Sequence, residues 1–219
     1  MARLSDSSTS ITNHAPLFIF DVGGVLIGLD RPAREALIGA PNDLAPDRVR
    51  RLAEANRAFR LGLIEEDDYI ALVADLHAVD VDTLYAAEDA FLIGGDPAMA
   101  ELLRRLRARH RVVAFSNTHA IHWRRVSSQL LGEDAFHACY LSHELGLEKP
   151  ERESYEAVAS REGVHPDNIV FIDDTLANVE AAKAAGWVNA IHHRSARETI
   201  AAIDALLAPG ILNLSSKTE

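Results

Sequence analysis

Residues 18–27 read FIFDVGGVLI. An apolar run ends in Asp21, and Gly23 and Gly24 follow almost at once. A short, continuous apolar segment bounded by glycine is the pattern of a strand covered on both faces, and a carboxylate at its end belongs at the C-terminal edge of a sheet. Taken in full as PLFIFDV (16–22), the segment has three counterparts: RVVAFSN (111–117), NIVFIDD (168–174) and WVNAIHH (187–193). Helical patterns accompany them, at AMAELLRRLRARH (98–110), PERESYEAVASREG (150–163) and TLANVEAAKAAG (175–186). Gly163 and Gly186 stand where a helix end favours glycine. Strand–helix alternation predicts an α/β fold, a doubly wound parallel sheet with right-handed crossovers.

The alternation stops between Asp30 and Ile93. No stretch there reads as a good strand, whereas 45–62, 65–79 and 81–93 read as helices, with Gly62 as a stop. The expected organisation is a Rossmann-like core over 15–29 and 94–212 with a helical cap over 30–93. Such an insert sits above the C-terminal ends of the strands, where ligands bind in these sheets. Residues 1–14 are expected to form a disordered tail, and the closing NLSSKTE (213–219) a second loose end.

Charge narrows the partners. Lys and Arg total 22 against 33 Asp and Glu, a formal net charge of −11. That disfavours nucleic acid, whose binding needs a cationic surface, but not a small anionic substrate met by a locally positive site. The single cysteine, Cys139, excludes a disulfide within the chain and a cysteine-based zinc cluster; its apolar setting in HACYLS predicts a buried structural thiol. The N-terminal residues lack the apolar segment of a signal peptide, and no apolar run reaches the roughly 18 residues of a membrane span. The expected location is the cytoplasm. Oligomeric state is not legible.

Three predicted strands end in polar residues: Asp21; Ser116, Asn117 and Thr118; and the pair Asp173 and Asp174. Lys149 stands in EKP, ahead of the helix that leads into the 168–174 strand. Each alone reads as a cap, a turn or a solvated side chain. Jointly, groups that end parallel strands collect at one edge, and gathered carboxylates repel unless a cation or a proton compensates them. A divalent metal is the economical compensation, and oxygen ligands without a cysteine or histidine cluster suit Mg²⁺. Lys149 would add charge against a bound phosphate, Ser116 and nearby backbone N–H groups would hold its oxygens, and Asp21 would be the nucleophile, forming an aspartyl-phosphate.

Four motifs in order, FDVGGVL, FSNT, EKP and FIDDTLANVEAAKAAG, resemble those of haloacid dehalogenase-like (HAD) hydrolases of the type with a helical cap after the first motif. The similarity spans about residues 16–207. It implies that Asp21 is nucleophile and metal ligand, that Ser116 binds the phosphoryl group with Asn117 beside it, and that Lys149 neutralises nucleophile and phosphate. It implies that Asp174 is the chief acidic metal ligand of the fourth motif, that Asp173 holds metal-bound water or joins the coordination, and that Asn178 orients this shell. The expected function is Mg²⁺-dependent hydrolysis of a small phosphorylated metabolite, a sugar phosphate among the candidates. Two alternatives stand beside it. A 2-haloacid dehalogenase would use the same aspartate, but needs no metal and lacks the acidic pair at 173–174. A non-catalytic regulatory protein would keep the fold and bind a phosphorylated ligand.

Gly23 departs from the family's pattern. Most phosphatases of this kind carry there an aspartate that protonates the leaving oxygen and then activates water; Gly23 can do neither, although its carbonyl could still ligate the metal. Asp-x-Gly-x-Val followed by an acidic residue near 30 resembles a subgroup that includes glucose-1-phosphate phosphatases, so glycine here does not imply a dead enzyme. Asp30 is then a substitute acid or the cap of a helix starting near Arg31 and Pro32. His119 and His122 share a helix face if 119–130 is helical, as substrate contacts or as surface and interface residues. Arg31, Arg34 and Arg60 are cap-side contacts for an anion or solvated charges. His192 and His193 lack a metal-binding spacing, and Trp123 and Trp187 read as core.

Overall fold

A computed structural model describes residues 15–208. The expectations for 1–14 and 213–219 lie outside the described residues. In chain order come β1 (Leu17–Phe20), β2 (Ile27–Leu29), α1 (Arg31–Ile38), α2 (Pro46–Arg60), α3 (Glu66–His77), α4 (Val81–Phe91), β3 (Leu92–Gly94), α5 (Pro97–Arg107) and β4 (Val112–Ser116). They are followed by α6 (Ala120–Arg125), β5 (Ala138–Leu141), α7 (Ser142–Leu145), α8 (Arg152–Glu162), β6 (Ile169–Asp173), α9 (Leu176–Ala184), β7 (Asn189–His192) and α10 (Ala196–Leu207).

Five strands form one parallel sheet in the order β5-β4-β1-β6-β7. Side chains alternate across it, as a strand's period of two requires. Phe18, Phe20, Val112, Ala114, Val170 and Ile172 face Met99, Leu102 and Leu106 of α5 and Ile203 of α10. Leu17, Ile19, Val113, Phe115, Ile169 and Phe171 face Tyr155 and Val158 of α8 and Val179 and Ala182 of α9. Both faces are sealed, so the strands read as unbroken apolar runs. Trp187 lies in the second layer; Trp123 is only half-buried, against the first.

The four predicted strands occur. The fifth, β5, carries Cys139, and its place at the sheet edge leaves that thiol half-buried rather than buried as expected. A second correction lies at the ends of the insert. There β2 and β3 pair antiparallel, with Leu29 opposite Leu92, so the helix expected over 81–93 stops at Phe91. Between them α1 to α4 pack around their own core, which includes Leu52, Phe59, Tyr69, Val73, Leu76 and Leu84. Ile121 of α6 joins that core from the sheet side. Among the described residues, no helix is long and apolar enough to cross a membrane.

Candidate active site

Register brings the polar strand ends together. Phe20 of β1 pairs with Ile172 of β6 and Ala114 of β4, so the next residues along each strand reach the same edge. The Asp21 N–H donates to the Ile172 carbonyl at 2.8 Å, which sets Asp21 level with Asp173. On the other side of β1, Ser116 closes β4. The crevice thus opens on both flanks of the central strand, where the chain order changes direction.

Lys149 fills the floor between the carboxylates. It is 3% exposed, and its Nζ lies 2.6 Å from Asp173 Oδ2, 3.1 Å from Asp21 Oδ1 and 2.8 Å from the Phe115 carbonyl, to which it donates. Asn117 fixes the lysine's backbone in both directions. Its Nδ2 donates to the Lys149 carbonyl at 2.7 Å, and its Oδ1 accepts from the Lys149 N–H at 2.9 Å. Asp173 is held by Asn178 Nδ2 at 3.0 and 3.1 Å and by the Thr175 N–H at 2.8 Å. Asp21 Oδ1 also accepts from the Val22 N–H at 2.7 Å.

Burial lifts Asp21; Lys149 opposes the rise and Asp173 adds to it, leaving the carboxyl at about 6. Burial alone would lower Lys149, but Asp21 and Asp173 outweigh it and hold the ammonium above its ordinary range. Carboxylate oxygens of Asp21, Asp173 and Asp174 all lie within 4.8 Å of one another. One buried ammonium is shared by Asp21 and Asp173, and Asp174 adds a third carboxyl, so the donor set is oxygen-rich and short of positive charge, which fits a hard divalent cation. Gly24 keeps room for it. At φ +78°, a Cβ there would stand 2.2 Å from Asp174 Oδ2.

The edge opens into a cavity of about 240 Å³ lined by Asp21, Gly23, Ser116, Asn117, Lys149 and Asp174, among others. All the residues expected at the site therefore converge except that Asp173 lies beneath its floor, fully buried. Gly23 leaves a gap that a side chain could enter; a Cβ there would meet Leu29 at 3.4 Å. Asp30 does not line this cavity. It caps α1, its Oδ1 accepting from the Ala33 N–H at 2.9 Å.

An adjoining cavity of about 360 Å³ lies toward the helical insert, lined by Arg31, Arg34, Asn56, Arg60, Glu88, His119 and His122 among others. Here the structure corrects the surface reading for His119 alone. His119 is buried, tilted against the Phe59 ring at 4.8 Å, and burial, with His122 beside it, holds it well below its ordinary range. Arg34 is no solvated charge either, because it pairs with Glu88 at 2.8 Å. Arg60 pairs with Glu148 at 3.2 Å, while Arg31 lines both cavities. Glu88 went unnoticed in the sequence. Its signal was a carboxylate on the stripe of Leu84, Ala87 and Phe91, the apolar face of α4. His192 and His193 point elsewhere, to the Asp174 carbonyl and to Thr199 Oγ1. Cys139 is pushed up to about 11 by burial, which leaves it a thiol.

The match of a haloacid dehalogenase-like hydrolase model to residues 15–186 agrees with this architecture, and the chain belongs to that family. Its relatives include the sesquiterpene phosphatase astK of Aspergillus oryzae, 27% identical over 173 residues that cover 78% of this chain and 86% of the relative. The D-ribitol-5-phosphate phosphatase of Bacteroides thetaiotaomicron is 25% identical over 181 residues, 77% of this chain and 87% of the relative. Among solved structures, the HAD family enzyme bt-2542 of Bacteroides thetaiotaomicron, in complex with magnesium and inorganic phosphate, superposes with a TM-score of 0.71 at 26% identity, over 82% of this chain and 94% of that one.

Replacing Lys149 by Met should cost roughly 3–5 kcal/mol of folding stability, because two buried carboxyl groups lose their only shared cation. Urea unfolding at pH 8 reads that loss. Adding Asp173→Asn to the same chain should recover part of it, since one of the stranded charges is then gone.

Proposed function

We propose that the protein is a Mg²⁺-dependent phosphatase of a small phosphorylated metabolite, working through an aspartyl-phosphate at Asp21. One observation carries the proposal: Asp21 projects from the central strand with Oδ1 tied to Lys149 and the Val22 N–H, which leaves its other oxygen for attack. Asp21, Asp173 and Asp174, with the Gly23 carbonyl, would hold the Mg²⁺, which when bound offsets the crowded negative charge and that of a phosphoryl group. Ser116 and a neighbouring backbone N–H bind and orient phosphoryl oxygens opposite Asp21. Lys149 keeps the nucleophile ionised and stabilises negative charge at Oδ1 as the acyl phosphate forms and breaks.

The helical insert over 30–93 serves as the cap and supplies substrate selection. Its cavity presents guanidinium, amide and imidazole groups, which suit the hydroxylated body of a sugar or polyol phosphate. That is the compound class in the name of the Bacteroides thetaiotaomicron relative. The acidic pair at 173–174 supports the phosphatase over a dehalogenase, since two further carboxylates repel an anionic haloacid unless a metal offsets them.

Phosphate release from a panel of sugar and polyol phosphates should require Mg²⁺ and stop with EDTA. Asp21→Asn should lower it by at least about a thousand-fold with the fold intact by circular dichroism. Turnover by that variant at the parent rate would overturn the nucleophile assignment. Proton linkage gives a second test. With Asp21 at about 6, the metal-free carboxyl is half protonated at pH 6, and Mg²⁺ must displace that proton. Calorimetry in two buffers of different ionisation enthalpy should find about half a proton released per Mg²⁺ at pH 6 and almost none at pH 8, with affinity falling as pH drops through 6.

A further inference from the structure

Gly23 has no side chain to give a proton to the leaving oxygen, so a phosphatase built on this site needs another donor. Two charged or titratable side chains among the described residues line both cavities, the one that holds Asp21 and the one toward the insert: Arg31 and His122. Of the two, only an imidazole readily gives and takes a proton near neutral pH. Its ring is braced between Phe91, at 5.4 Å, and His119, at 4.0 Å between centroids. Its Nε2 lies 2.7 Å from Glu88 Oε2. Glu88 is 2% exposed, and its other oxygen accepts from Arg34 Nε at 3.1 Å and Nη2 at 2.8 Å. Burial would raise the Glu88 carboxyl, but the His122 hydrogen bond and Arg34 outweigh it and hold it at about 2. An ionised, oriented carboxylate thus occupies one nitrogen of His122. The other, Nδ1, has no protein partner among the described residues and is not sealed from the cavity.

This is the logic of an acid–base histidine. A buried carboxylate fixes the ring through Nε2 and leaves Nδ1 as the nitrogen available on a side chain that lines the Asp21 cavity. The other charged or titratable groups along the two cavities are Arg31, Arg34 and Glu35 of α1, Arg60 of α2, Tyr69 of α3 and His119, which caps α6, with Asp21, Lys149 and Asp174 on the sheet side. His119 is held neutral by burial and adds no opposing charge. The insert therefore contributes Glu88 to a dyad whose histidine belongs to the sheet side, on α6 just after Ser116, Asn117 and Thr118.

We propose that His122, positioned by Glu88, is the general acid and then the general base of the hydrolysis, in the role that Gly23 leaves empty. The inference rests on the phosphatase reading above. In the first step the free Asp21 oxygen bonds to phosphorus, the ester P–O bond breaks, and its electron pair leaves on the alcohol oxygen. That oxygen takes the Nδ1 proton of the His122 imidazolium. In the second step a water oxygen bonds to phosphorus, and the P–O bond to Asp21 breaks and restores the carboxylate. His122 Nδ1 takes the proton that water loses. Ester and water become alcohol and phosphate, and His122 ends as imidazolium.

The test compares two probes with Mg²⁺ present: p-nitrophenyl phosphate, whose leaving group departs as a stable anion, and glycerol 2-phosphate, whose alkoxide needs a proton. Values of kcat/KM are compared because they report formation of the phosphoenzyme and not its hydrolysis. His122→Asn should lower kcat/KM for glycerol 2-phosphate by about 10²–10⁴-fold, and for p-nitrophenyl phosphate by less than about tenfold. Glu88→Gln should move the alkaline limb of the glycerol 2-phosphate profile to lower pH, since the imidazolium loses its anion. Gly23→Asp placed on His122→Asn should recover turnover of the alkyl ester; a Cβ at Gly23 meets the Leu29 side chain at 3.4 Å. Equal losses for both probes, or a parent protein that cleaves only the aryl ester, would overturn the role of His122 and leave the phosphatase reading standing. Failure of the parent protein on both probes and on the metabolite panel would overturn both. If His122→Asn does not fold, the pH limb of Glu88→Gln decides, because a merely structural contact between insert and core would not move it.

Discussion

Lys149 Nζ, shut from solvent between Asp21 and Asp173, is the contact on which the site's geometry depends. An ammonium placed there without both carboxylates would carry a desolvation cost of several kcal/mol, and so would either carboxylate without the ammonium. Each partner is therefore pinned by neighbours that cannot relax independently. Asn117 clamps the lysine's backbone from β4, and Asn178 grips Asp173 from α9. Three strands and a helix converge on one charge. The position of Asp21 is a result of that convergence, as much as of its own strand.

The insert is bound to the sheet by a different kind of contact. Apart from Ile121, its hydrophobic core is its own, and charged pairs mark much of the boundary. Arg57 and Arg60 of α2 reach Glu148, the residue before the buried lysine, at 2.9 and 3.2 Å. Arg124 meets Glu66 at 2.6 Å and Arg125 meets Asp89 at 2.8 Å. Partly exposed pairs of this kind contribute roughly 0–1 kcal/mol each and give orientation more than stability. The pairing of Glu88 with Arg34 and His122 differs, because Glu88 is buried and its loss would leave both partners without their shared carboxylate.

How much of this was legible in the sequence depends on where each signal lies. The central strands announce themselves, because burial on both faces demands consecutive apolar residues, as in Leu17 to Phe20 and Ile169 to Ile172. β5 did not, because an edge strand with one neighbour keeps a half-exposed Ala-Cys-Tyr. β2 and β3 are three residues each and carry Gly28 and Gly94, too short for alternation to show. The strand-end groups were legible because parallel pairing delivers them to one edge whatever the connecting segments do. His119 and Glu88 were not, since their burial is decided by how α2, α3 and α4 dock on α6. Periodicity within one helix carries no record of that docking. Lys149 was read as a site residue, yet its complete burial followed only from the Asn117 clamp, a contact between residues 32 positions apart.

The proposed role of the buried Lys149–Asp21–Asp173 arrangement is to make Asp21 a nucleophile. The most direct measurement is an acid quench of the Mg²⁺-loaded protein during turnover, followed by peptide mass spectrometry. A phosphoryl adduct is expected on the peptide that contains Asp21, absent when the quench precedes substrate. Sustained phosphate release with no adduct on Asp21 at any quench time, or an adduct on another residue, would contradict it.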